Sequence, residues 1–150
     1  PYLQQVVRPA LDEGARTRGK TVADLELYSP VFVVTGDTEA ERAKMERAVR
    51  RQIAFYASTP SYAAVLEFHG HAELGKQLGG MMREGRLEEM GAHVPDALLD
   101  EIVVFAPPRE LGARLRQRYD GVLDRISLYS TMGGDGSFDA WRELTAAIHA

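Results

Sequence analysis

The chain has 150 residues, 45% hydrophobic and 27% charged, a composition that fits one folded domain and excludes a disordered or low-complexity chain. Eighteen Lys and Arg against 22 Asp and Glu leave a formal charge of −4, which offers no general attraction to nucleic acid or anionic lipid. Cysteine is absent, so disulfides, thiolate metal sites and cysteine nucleophiles are excluded; no apolar run approaches the roughly 18 residues that cross a bilayer, and a soluble, cytoplasmic protein is expected.

The chain opens at Pro1, without an initiator Met, and enters directly into a helical pattern. Leu3, Val6, Val7, Ala10 and Leu11 fall on one stripe, Pro9 predicts a kink because it lacks an N–H for the ladder, and Gly19 predicts a stop. Leu25–Val34 is the best strand signal; Val31 to Val34 is continuously apolar, which suits a strand covered on both faces, and Pro30 predicts a bulge or an edge. Thr35-Gly36-Asp37 breaks the strand. Thr38 with Glu41 forms a capping-box signature, opening a helix to about Ala57 whose buried face is Met45, Ala48, Val49, Ile53 and Tyr56, with Glu46 and Arg50 as an exposed i,i+4 pair.

Thr59-Pro60 reads as an N-cap followed by proline at the first helical position, and the new helix carries Tyr62, Val65, Leu66 and Phe68 up to Gly70. Short helices are expected from 71 to 104, with stripes at Leu74, Leu78, Met81 and Met82, then Leu87 and Met90, then Leu98, Leu99, Ile102 and Val103. Pro107-Pro108 marks a fresh start, Leu111, Leu115 and Tyr119 share a face, and Asp124–Tyr129 reads as a second strand. A glycine-rich loop at 132–136 precedes a last helix capped by Ser137, with Phe138, Trp141, Leu144 and Ile148 apolar. Helices alternating with apolar strands suggest an α/β class with parallel crossovers. Two strands do not make a doubly covered parallel sheet, so either helices form the core around a minor two-stranded element or further strands lie outside this chain.

Three passages carry a resemblance: Pro30 to Tyr62, PVFVVTGDTEAERAKMERAVRRQIAFYASTPSY; Val65 to Gly70, VLEFHG; and Val103 to Tyr129, VVFAPPRELGARLRQRYDGVLDRISLY. Together they resemble the C-terminal part of the luciferase-like flavin-dependent oxidoreductase family, and within it the branch that uses the deazaflavin factor 420. The resemblance implies the C-terminal portion of a (β/α)8 TIM barrel. The first helix becomes barrel helix six, Leu25–Val34 strand seven, residues 60–104 a helical insertion, Asp124–Tyr129 strand eight, and a final helix follows. All of 1–150 then forms one segment, mostly helical by itself, with six strands upstream. The family often has Gly-Thr-Pro where this chain has Ala106-Pro107-Pro108, so the threonine cap of that loop is lost.

By the same resemblance, the parent transfers hydride between a deazaflavin and a small organic substrate. The alternatives are a flavin mononucleotide (FMN)-dependent monooxygenase of the same fold and, from a different class, a non-catalytic helical interaction module. Two strands without neighbours expose edges and apolar faces, so the segment is expected to form a homo-oligomer or to associate with the missing barrel part, and to be inactive alone.

Arg51, Tyr56, Ser58, Thr59 and Tyr62 surround the junction of two helices and are the candidate cofactor-binding set: hydroxyls, ring faces and one guanidinium suit a ribityl chain, a phosphate or an isoalloxazine-like ring. The alternative is that the tyrosines are core and Thr59 merely caps. The loops at 35–38 and 131–134 could offer free N–H groups to an anion, although Asp37 and Glu39 would repel one at the first. His69-Gly70-His71 does not place both rings on one helix face, so packed or solvated histidine is favoured over a metal site. Arg114, Arg116 and Arg118 point in different directions on a helix and read as a solvated side. No general acid or base is assigned.

Overall fold

This computed structural model describes residues 1–129 and, beyond them, 142, 145 and 146. The expected glycine-rich loop, the Ser137 cap, the helix of Phe138, Trp141, Leu144 and Ile148, and His149 lie outside the described residues.

A π-helical turn over Leu3–Val7 runs into α1 (Arg8–Arg16), with Pro9 in its first turn. Arg8 N–H reaches back five residues to Leu3 O, so the distortion expected from Pro9 takes the form of a widened turn just before it. A 3-10 turn at Val22–Asp24, closed by a Thr21–Asp24 capping box, precedes β1, which spans Tyr28–Val34 and so begins three residues later than the expected Leu25–Val34 strand. The long helix α2 (Glu39–Ala57) has the expected limits and cap. A 3-10 turn (Pro60–Tyr62) leads into α3 (Ala63–Phe68), and α4 (Ala72–Arg83), α5 (Leu87–Met90) and α6 (Asp96–Ile102) follow.

The expectation of two strands is corrected here. Val103–Phe105 forms a strand, β2, where an apolar continuation of the preceding helix was expected; α7 (Pro108–Tyr119) and β3 (Arg125–Tyr129) come after it. Three β-branched or aromatic residues following Ile102 pair with β1 instead of extending the helix. The sheet is parallel in the order β2-β1-β3.

Side-chain alternation divides the core in two. Phe32, Val34 and Val103 face α2, α4, α5 and α6, where Val49, Leu78 and Leu98 are fully buried. Val31, Val33 and Val104 face α7 through Leu111 and Leu115. The expected double covering of Val31–Val34 is therefore present, supplied on both sides by this chain. Right-handed crossovers that run in opposite directions across a sheet leave their helices on opposite faces, and the order β2-β1-β3 requires that reversal.

Pro30 sits where its chemistry allows. Ala106 N–H donates to Val34 O, so Val34, Phe32 and Pro30 direct their backbone groups to the β2 side, whereas Leu27 O accepts from Arg125 N–H on the β3 side. The ladder with β2 reaches down only to Phe32. The missing N–H of Pro30 thus falls on an edge with no strand beside it among the described residues, as proline in a sheet requires.

Two charged groups depart from the solvated positions expected. Arg50 is no simple surface partner of Glu46: its guanidinium also bonds Val94 O and the Asp96 carboxylate. Arg118 bonds Val103 O at 2.8 Å and Glu101 O, tying the end of α7 to the junction of α6 and β2.

Candidate functional site

The loop after β1 is closed by its own side chains. Glu41 accepts from Asp37 N–H at 2.9 Å and Thr38 N–H at 3.0 Å, while Thr38 Oγ1 accepts from Glu41 N–H at 3.2 Å. Those bonds, led by the Thr38 N–H, hold the Glu41 carboxyl below its ordinary pKa. Arg42 Nη1 donates to Gly36 O at 2.8 Å. A carboxylate thus already occupies the position an external anion would take, and the capped-turn reading of this loop holds. Thr35, at the C-terminal end of β1, is buried with no hydrogen-bond partner for Oγ1 among the described residues, while its N–H donates to Met45 Sδ.

The buried residues of α2 are Val49, Ile53, Ala54 and Ala57; Tyr56, expected on the buried face, is half-buried and lies against the sheet. Phe32 and Tyr129 are register partners on β1 and β3, so their rings lie side by side on that face, centroids 5.0 Å apart. Tyr56 lies 6.4 Å from Phe32, and its hydroxyl is 2.9 Å from that of Tyr129. Tyr62 stands 5.3 Å from Tyr56, tilted by 34°, and Phe55 abuts Tyr56 edge-on at 5.8 Å. Tyr62 is 40% exposed and Phe55 48%, while Phe32, Tyr56 and Tyr129 are half-buried, so the cluster leans on the sheet and has an open flank. The hydrogen bond with Tyr56 is the main cause that pushes the Tyr129 phenol above its ordinary pKa, keeping it a neutral group.

Of the five residues expected to form one set, Tyr56 and Tyr62 meet ring to ring. Ser58 Oγ donates to Phe55 O at 2.6 Å and Thr59 Oγ1 to Tyr56 O at 2.8 Å, so both hydroxyls satisfy the C-terminal carbonyls of α2. Thr59 precedes the Pro60 turn as expected but makes no side-chain cap to it. Arg51 is exposed; five residues before Tyr56, it lies about 140° round the helix, with its stem against Gly91. Phe32 and Tyr129 were not singled out from the sequence. Strand alternation places both on one face, but the partner strand and its register, which bring them together, are not written in either segment.

The histidines do not converge. His69 is packed, its side chain 8% exposed, between Phe68 and Glu101, and burial lowers its pKa while the Glu101 carboxylate partly offsets that. His71 and His93 line an open concavity of about 400 Å³ with Glu67, Glu73 and Gln77, and Gln77 bonds His93 at 2.9 Å. Among the described residues no group of three or more His, Asp or Glu could hold a metal ion, and no helix is long and apolar enough to cross a membrane.

Comparison with known proteins gives one family: a profile described as luciferase-like monooxygenase matches residues 1–125. Uncharacterized proteins of Mycobacterium bovis and of two Mycobacterium tuberculosis strains are 39% identical over 125 residues. Each match covers 83% of this chain and 37% of the relative, so the chain corresponds to little more than a third of the length of those proteins.

Proposed function

The chain belongs to the luciferase-like monooxygenase family, and from that premise we propose that it is the C-terminal segment of a flavin-type oxidoreductase whose parent moves hydride between the deazaflavin factor 420 and a small organic substrate. The family match over residues 1–125 carries this reading. The parent barrel would take β1 and β3 as its last two strands; residues 60–104, read as an insertion between them, end in the first residues of β2, which pairs with the other edge of β1.

The residues suit the ring and polyol of such a cofactor better than its phosphate. Tyr62 and Tyr56 offer an aromatic wall with an exposed flank. Ser58 and Thr59 have committed their protons to backbone carbonyls but keep acceptor lone pairs that a ribityl hydroxyl could use. The N–H groups after β1 are taken by Glu41, so phosphate binding falls to Arg51 or to residues outside this segment. When bound, the cofactor supplies the hydride chemistry; the protein side chains orient its ring and exclude water from one face. The hydrogen-bonded phenol pair is suited to orienting a ring.

The second reading, an FMN-dependent monooxygenase, is favoured by the family's own description. Titrating the full-length protein separately with factor 420 and with FMN, followed by absorbance, decides between them. Uptake of factor 420 is expected. Uptake of FMN alone replaces the first reading by the second, and uptake of neither overturns both.

A further inference from the structure

We infer that the Tyr56–Tyr129 hydroxyl pair is a hydrogen-bond subsite for a carbonyl oxygen on a planar ring seated against Tyr62. This deepens the flavin-type reading and rests on it. Each phenol carries one proton and two acceptor lone pairs. The 2.9 Å contact uses one proton of the two, whichever tyrosine donates. The other proton has no acceptor among the described residues, although both hydroxyls are half-buried at the end of a sheet.

Unlike Ser58 and Thr59, whose protons return to α2, this pair retains, among the described residues, a donor that a ligand can accept. The base under it is Phe32, and the flank beside it is Tyr62, which is 40% exposed. An apolar aromatic surround with a neutral donor selects an uncharged acceptor on a flat ring, and a carbonyl conjugated to that ring meets both requirements. The ring can be that of the cofactor or of an aromatic substrate.

The test uses the full-length protein with Tyr56→Phe, Tyr129→Phe and the double variant. Binding of FMN and of factor 420 is titrated by fluorescence; binding of 4-hydroxyacetophenone is titrated on protein with and without cofactor. The tyrosine that holds the spare proton gives the larger loss, about five- to tenfold in Kd, and the double variant loses no more than that single one. A loss confined to the cofactor titrations puts the cofactor ring at the pair; a loss confined to the ketone puts the substrate there. Unchanged affinity in all titrations, with unchanged thermal midpoints, overturns the inference. If one variant unfolds, the carbonyl stretch of the bound ligand in the unsubstituted protein decides: a downshift from its free frequency supports the inference, and an unshifted frequency overturns it. Failure of the unsubstituted protein to bind either cofactor overturns the flavin-type reading instead, and the ketone titration on cofactor-free protein then decides the pair by itself.

Discussion

Arg50 Nη1 donates to Val94 O at 2.7 Å, joining the middle of α2 to the turn that opens α6, forty-four residues later. The Arg50 side chain is only 21% exposed, and its guanidinium also meets Glu46 and Asp96. Val94 itself is buried, so its carbonyl depends on this donor. Arg50→Leu in the full-length protein should lower stability by about 1.5–3 kcal/mol, the cost typical of a lost charge-assisted bond. Urea unfolding measures it; a change below about 0.5 kcal/mol would assign the pair to the weak surface class.

Gly36 tolerates no side chain. Its φ is +152°, and an added Cβ would stand 2.8 Å from Glu41 Cβ and 3.3 Å from the Arg42 nitrogen. Gly36→Ala should cost about 1–3 kcal/mol through strain and loss of the Glu41 cap. Gly19, also at positive φ but with open space around it, is the control: alanine there meets strain without a clash and should cost less. Equal losses at the two positions would refute the role given to the close approach of Glu41.

Thr35 carries a buried hydroxyl without a partner among the described residues, a state that offers nothing to stability. Thr35→Val keeps the shape and removes the desolvated oxygen, so the thermal midpoint should hold or rise, by up to about 1 kcal/mol equivalent. A clear destabilisation would mean that the hydroxyl has a partner in solution.

His69 provides a pH signature. Its folded pKa lies below the ordinary imidazole value because of burial, with Glu101 acting the other way. Below the unfolded pKa of about 6.5 the unfolded chain takes up a proton that the folded one resists, so stability falls as pH drops from about 6.5 toward the folded value and is unaffected above it. Thermal midpoints at pH 7.5 and 5.5 should show a decline that is smaller in His69→Gln. An identical decline in the variant would assign the acid sensitivity to other groups.

The aromatic and capping chemistry was legible along the chain because it is local. Thr38 and Glu41 are three residues apart, and Val49 and Ile53 recur at helical spacing, so the start of α2 and the middle of its buried stripe follow from neighbours in sequence, whereas the burial of Ala54 and Ala57 does not. Pro30 announced an edge because a proline nitrogen cannot donate wherever it sits. Tyr56 and Tyr62 were found together since one turn of chain separates them.

What lay beyond reach depends on partners far away. Val103–Phe105 is too short and too close to a helix to declare itself as a strand; it becomes one only by pairing with Phe32–Val34. Tyr129 becomes part of a site only because β3 lies beside β1 in a register that sets it next to Phe32 and under Tyr56. Arg50 and Arg118 look like solvent charges until distant backbone carbonyls are brought to them. Helical periodicity and capping are properties of adjacent residues and are written in order along the chain; strand pairing and the meeting of remote side chains are properties of the closed structure, and only the tertiary fold decides them.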